Sequence, residues 1–91
     1  MIRHYYKNLI IWKLSLEIAK DISDLIQEFP KHEKYDLSSQ MNHCSISIPC
    51  NIAEGSAKSN KHFSAFIDIA LGSSFELETQ LLIAKYRKYI N

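Results

Sequence analysis

Apolar residues recur at helical spacing in three separate stretches of the chain, and nowhere do they alternate at the two-residue spacing of a strand. In the first stretch Ile11, Leu14, Ile18, Ile22, Leu25 and Phe29 follow one another at steps of three and four. This stripe predicts a helix over 9–29, with Asn8 as N-cap and Pro30 forcing the stop. A second stripe, Trp12, Leu16, Ala19 and Ile26, lies beside the first. Together they are wider than one partner helix covers, so contacts on two sides are expected, within the protomer and between protomers. The outer face carries Glu17, Asp21, Asp24 and Glu28, and Lys20 adds a weak pair with Asp24.

Lys31 to Asp36 is a charged connection. Beyond it Leu37, Met41, Cys44, Ile48 and Ile52 predict a second helix over 37–54, with Asp36 or Ser38 as N-cap. Pro49 falls inside this helix, where it removes the bond to the Ser45 carbonyl at a cost of about 3 kcal/mol and should bend the axis. Gly55 is expected to end the helix in the left-handed position. After a polar turn at Ser56 to Ser59, the residues Phe63, Ile67, Ala70, Ser74, Leu77, Leu81 and Ala84 predict a third helix over 60–89. At that length it spans roughly 45 Å against roughly 27 Å for the second helix, so its last turns overhang. Gly72, Ser73 and Ser74 form a small-residue patch where close helix approach is expected, since a phosphate loop needs a preceding strand.

Composition narrows the function more than it defines it. The chain has 91 residues, enough for one domain, and a 46% hydrophobic, 23% charged make-up with two Gly and two Pro suits a globular helical protein. A core this small gives modest stability, and self-association is a natural supplement. The net charge of +1 gives no global pull toward nucleic acid or membrane. No apolar run is long enough for a membrane span, and Met1 to Lys7 lack the apolar region of a secretion signal, so a cytoplasmic protein is expected. Cys44 and Cys50 fall on different faces of one predicted helix and read as reduced thiols.

The motifs themselves resemble a known family. Leu9 and Trp12, the Phe29-Pro30 pair, Glu33, Tyr35, Leu37 and Gln40, the Ser45 to Pro49 segment and Asn51-Ile52-Ala53-Glu54-Gly55 carry the likeness in the first two helices. Phe63, Phe66, Ile69-Ala70, Gly72-Ser73 and the run Glu76-Leu77-Glu78-Thr79-Gln80-Leu81 continue it. The chain is similar in these positions to the four-helix-bundle proteins encoded in intervening sequences of bacterial 23S ribosomal RNA genes. The resemblance implies an antiparallel up-and-down bundle assembled into a ring, a pentamer, and a nucleic-acid role like that of the related accessory variability protein of diversity-generating retroelements. Two departures stand out. The family's pair of arginines before the Ser-Ile-x-Pro segment is replaced by Asn42 and His43, and the family's fourth helix is absent from this chain.

Antiparallel topology would gather Arg3, His4, Lys7, Lys58, Lys61 and His62 at one end of the bundle, and Lys31, His32, Lys34, Lys85, Arg87 and Lys88 at the other. A ring would multiply each cluster into a cationic crown that attracts phosphates. Lysines that only decorate solvated helix ends are the plainer account. His43, Ser47, Cys50 and Glu54 share a helical face, but no HExxH or CxxC spacing accompanies them and Pro49 disturbs the geometry, so no metal or cofactor is expected. Neither cysteine sits in a nucleophile arrangement, and Glu54, Glu76 and Glu78 read as capping or inter-helix partners of Asn51, Gln40 and Gln80. Tyr35, Tyr86 and Tyr89 suit either base stacking or interface packing.

The expectation is therefore a single all-α domain over 1–91, an antiparallel bundle of the four-helix type with three long helices present. It is read as a non-catalytic homo-oligomer that binds RNA or DNA through Lys31, Lys34, Lys58, Lys61, Arg87 and Lys88. Trp12, Pro49, Asn51, Glu54, Gly55, Gly72, Glu76, Glu78 and Gln80 are the structural positions that carry the family motif. The competing reading is a protein-binding module whose open groove takes a partner helix.

Overall fold

The computed structural model describes residues 5–91. Among them lie three long helices, α1 (Ile10–Ile26), α2 (Leu37–Ser56) and α3 (Asn60–Tyr86), and no strand. Single-turn 3-10 segments at Tyr6–Asn8 and Lys31–Glu33 precede α1 and α2. The chain runs up, down and up, and the long dimension of 48 Å follows the 27 residues of α3.

α2 is the centre of the arrangement. It packs along both α1 and α3, whereas α1 and α3 make no backbone approach to each other among the described residues. Its predicted stripe is accordingly buried throughout: Leu37, Met41, Cys44, Ile48 and Ile52 are the middle of the core. Ala70, Leu77 and Ala84 of α3 and Ile22 and Phe29 from the α1 side close over it. Each fully buried Leu, Ile or Met side chain contributes about 1.5–3 kcal/mol, so this one stripe supplies much of the fold. Small polar side chains let α2 lie close to its neighbours. Ser45 and Ser56 on α2, like Ser15 on α1, are buried and return their hydroxyl hydrogens to carbonyls three residues back. Toward α3, the Cys44 thiol donates to the Ser73 carbonyl at 3.0 Å and the Ser47 and Ser73 hydroxyls meet at 3.1 Å. The Asn51 side-chain amide donates to Ser47 Oγ and to the Ser47 carbonyl, bracing the turn that follows Pro49.

Several sequence expectations shift here. α1 stops at Ile26, short of 29, because the last turn tightens into 3-10 bonds from Glu28 and Phe29 to Leu25 and Ile26 before Pro30. Asn8 is not its N-cap; the chain enters through the 3-10 turn and Leu9 occupies that position without a side-chain bond. Asp36 stands at the N-cap of α2, but its carboxylate caps nothing. Ser59 does cap α3, accepting from the His62 backbone at 3.4 Å. Gly55 does not end α2 in a left-handed conformation; it lies inside the helix, and no glycine has positive φ. The left-handed residue is Lys88, with φ 65°, where α3 ends at Tyr86 rather than 89. The Lys88 and Tyr89 backbone amides donate to the Lys85 and Ala84 carbonyls, the paired bonds of a Schellman turn.

Neither glycine has the role expected of it, and the close approach expected at the Gly72-Ser73-Ser74 patch is made by Ser73. Gly72 faces open space, with nothing within 4 Å of where a Cβ would stand. A second close approach is at Gly55, where a Cβ would lie 2.5 Å from Phe66 Cβ and 3.1 Å from the Phe63 ring. α3 can reach α2 at this point only because Gly55 has no side chain.

A buried carboxylate locks the far end of the molecule. Glu33, 3% exposed, accepts from Arg87 Nη1 and from the Tyr89 hydroxyl, each at 2.6 Å. It also takes the Leu37 backbone amide, and so performs the capping that Asp36 does not. Tyr89 in turn stacks at a tilt on Phe29. The Tyr89 bond, the Arg87 bond and the Leu37 amide hold the Glu33 carboxyl below the ordinary carboxylate range, against the opposing effect of burial.

α1 and α3 diverge on the face opposite the solvent side of α2, and an apolar groove of about 260 Å³ remains between them. Ile48 and Ile52 form its floor, Ile11, Leu14 and Ile18 one wall, and Ile67 and Leu71 the other. The wide apolar face of α1 is thus covered on one side and open on the other, with Leu14 59% exposed.

Two outcomes follow from this geometry. Gly55→Ala should cost about 1–3 kcal/mol by forcing α3 off α2, whereas Gly72→Ala should gain about 0.5–1 kcal/mol from helix propensity; chemical denaturation of the two variants checks both signs. Because the Glu33 carboxyl is lowered in the folded state, its contribution is complete above the ordinary carboxylate range and is lost as pH falls through its depressed value. Urea midpoints should therefore drop more steeply on acidification for the wild type than for Glu33→Gln, and parallel curves would refute the role of this carboxylate.

Candidate nucleic-acid interface

The antiparallel path sorts the basic residues as the sequence suggested. Lys58 and Lys61 flank the α2–α3 connection, exposed, at one end. There Ser59 bonds the ring of His62 at 2.8 Å as well as capping the helix. Lys31, Lys34, Lys85 and Lys88 stand exposed at the other end, where the α1–α2 corner meets the end of α3. Arg3 and His4 lie outside the described residues. The acidic positions Glu17, Asp21, Asp24 and Glu28 remain exposed along α1.

Arg87 departs from its expected use. Its guanidinium is committed to buried Glu33, an ion pair at 2.6 Å, and that bond raises its pKa further. Its charge is thereby shared with Glu33, while the side chain remains 41% exposed. Lys31 and Lys34 form no ion pair among the described residues.

These two lysines border an open cleft of about 590 Å³ between the end of α1 and the first turns of α2. Ile26, Phe29 and Pro30 give it an apolar side, and Gln27, Ser38, Ser39 and Asn42 give it hydroxyl and amide groups. Tyr35, 88% exposed, stands at its edge with the Lys34 ammonium 5.4 Å from the ring centre. No Asp or Glu lines it. The sequence flagged both lysines and Tyr35, but not the cleft that unites them with Ser38, Ser39 and Asn42.

The motif positions otherwise build structure. Trp12 is half-buried with its edge against Tyr6, and Pro49 is buried within α2. Glu54 and Glu78 are exposed and do not bond Asn51, Gln40 or Gln80. Asn51 serves its own helix, and Gln80 is buried with its Oε1 unpartnered. Glu76 acts on Cys44, whose thiol is pushed up to about 12 by burial first and by the Glu76 carboxylate second. That thiol stays protonated and unreactive, while Cys50 is exposed. Among the described residues no group of three or more His, Cys, Asp or Glu is placed to hold a metal ion. No helix among them is long and apolar enough to cross a membrane.

The fold and its charges define an all-α helical bundle with basic ends. The chain belongs to the 23S rRNA-intervening sequence protein family, whose model matches residues 7–91. No curated protein matches it.

Proposed function

We propose that this protein is a non-catalytic, homo-oligomeric bundle that binds RNA or DNA phosphates through its basic ends, principally the α1–α2 corner. The observation that carries the reading is the pair of uncompensated lysines, Lys31 and Lys34, beside exposed Tyr35 around a cleft without carboxylates. Lys88 extends the same end, and Lys58 and Lys61 form a second, smaller cluster. Ammonium groups on solvated stems contact phosphates without reading bases, so the expected binding is salt-dependent and tolerant of sequence.

Self-association supports this role by repeating each cluster. The groove between α1 and α3 lies where the fourth helix of a four-helix bundle would run, and Phe75 and Leu82 of α3 lie exposed outside it as apolar surface suited to cover it from a second copy. Closed repetition of such a contact gives a ring, for which a pentamer is the proposed size. A protein adaptor that takes a foreign helix into the groove is the second reading, and the same exposed apolar residues favour it.

Sedimentation velocity should show an assembly at micromolar concentration, and Leu14→Glu should dissociate it with helicity unchanged. A monodisperse wild-type monomer would remove the oligomer. In fluorescence-anisotropy titrations, structured RNA or duplex DNA should bind more weakly as salt rises. Combined Lys31→Glu and Lys34→Glu changes should weaken binding at least tenfold and reduce the salt slope by about 2. Unchanged affinity would take the α1–α2 corner out of the interface, and absence of binding at low salt would favour the adaptor.

A further inference from the structure

We propose that the cleft at the α1–α2 corner is a discrete site for one phosphorylated nucleotide unit. The phosphate would sit at the N-terminus of α2 between Lys31 and Lys34, and the base would stack on Tyr35. The inference deepens the phosphate-binding reading above by assigning one defined contact to it.

The start of α2 is filled only in part by this protein's own side chains, through Glu33 at the Leu37 amide. A helix leaves its first amides without internal partners, and its dipole makes that end positive. In α2 the Asp36 side chain does not cap, and the first turn holds no acidic residue. Glu33 takes the Leu37 amide and is itself occupied by Arg87 and Tyr89, which leaves the amides of Ser38 and Ser39 at the cleft.

Ser38 supplies an independent observation. It is nine-tenths buried, lines the cleft, and has no hydrogen-bond partner for its hydroxyl. The other buried serines behave differently: Ser15, Ser45 and Ser56 each donate to a carbonyl of their own helix. The Ser38 hydroxyl oxygen itself keeps some exposure and borders the cleft, Gln80 Oε1 being the buried side-chain oxygen without a partner among the described residues. At Ser38 the open side is the cleft, and a phosphate oxygen there would accept from the hydroxyl, from the adjacent amides and from the two ammonium groups together.

The remainder of the cleft matches a nucleoside better than a bare anion. Tyr35 presents a ring that is 88% exposed, with the Lys34 ammonium 5.4 Å from its centre, the state of an aromatic available for stacking. Gln27 and Asn42 offer amide donors and acceptors of the kind that meet base edges, and Ile26 and Phe29 offer apolar surface to a ring. The volume of about 590 Å³ falls within the range usual for ligand sites.

The test is an amide chemical-shift titration of the full chain with a nucleoside 5′-monophosphate, the corresponding nucleoside, inorganic phosphate and a short single-stranded oligonucleotide. The monophosphate should shift Ser38, Ser39 and Asn42 saturably and bind more tightly than the nucleoside or phosphate alone. Tyr35→Ala should weaken it roughly tenfold, as loss of one base stack would, without changing the response to phosphate. Ser38→Ala, with circular dichroism unchanged, should weaken both monophosphate and phosphate; Lys34→Gln, at an exposed position, should do the same if Ser38→Ala unfolds. The oligonucleotide moving the same amides would identify a nucleic-acid strand as the source, and the mononucleotide moving them alone would identify a free nucleotide. Equal binding of phosphate and monophosphate, insensitive to Tyr35→Ala, would overturn the nucleotide assignment. An oligonucleotide that binds in a salt-dependent way while these amides stay fixed would overturn the cleft but leave the basic-end reading standing.

Discussion

The carboxylate of Glu33 is the contact on which the working end of this molecule depends. It comes from the short connection between α1 and α2, yet it bonds the start of α2 through the Leu37 amide and the end of α3 through Arg87 and Tyr89. A buried carboxylate is costly unless its acceptor sites are filled, and here charged, phenolic and backbone donors fill them. The result is a corner whose geometry is set by three elements at once. Arg87 is thereby paired although it stays 41% exposed, and the unpaired positive charge at that end belongs to Lys31, Lys34, Lys85 and Lys88. Stability and electrostatics are linked at this one group, because the same bond that fixes the corner decides which cations remain for a ligand.

The second constraint is the central place of α2. A helix flanked on two sides needs a broad apolar face and narrow shoulders, and α2 has both: a buried stripe from Leu37 to Ile52, with serines and Gly55 beside it. Its shoulders bring α1 and α3 close to α2 but not to each other, which opens the groove over Ile48 and Ile52. Ile11, Leu14 and Ile18 of α1 therefore stand in an open wall. The same tight packing that makes the three helices cohere leaves an apolar surface that association can bury.

Much of this was legible from periodicity. The stripes of α2 and α3 name their buried residues closely, because the residues that pack on neighbouring helices recur at the 3.6-residue repeat. The stripes of α1 were equally visible, but their division was not. Which stripe faces α2 and which is left in the groove depends on how far α3 stands from α1, a distance no local pattern encodes. The candidate site was legible in part, since Lys31, Lys34 and Tyr35 announce themselves as charge and aromatic beside Pro30. Ser38 and Asn42 gave no such signal, because each joins the cleft only when α2 folds back along α1.

By itself the sequence determined the helical class, the element order, the turn at Pro30, the tolerance of Pro49 inside α2 and the sorting of charge to the two ends. These follow from backbone chemistry and short-range spacing, which act within a few residues. Only the tertiary structure decided that Gly55 serves close approach rather than termination, that Lys88 takes the left-handed turn, and that Arg87 is paired with Glu33. Each of these turns on a contact between residues distant in the chain, or on where a helix can stop once its neighbours hold it. Local propensity offers several acceptable answers there, and packing selects one.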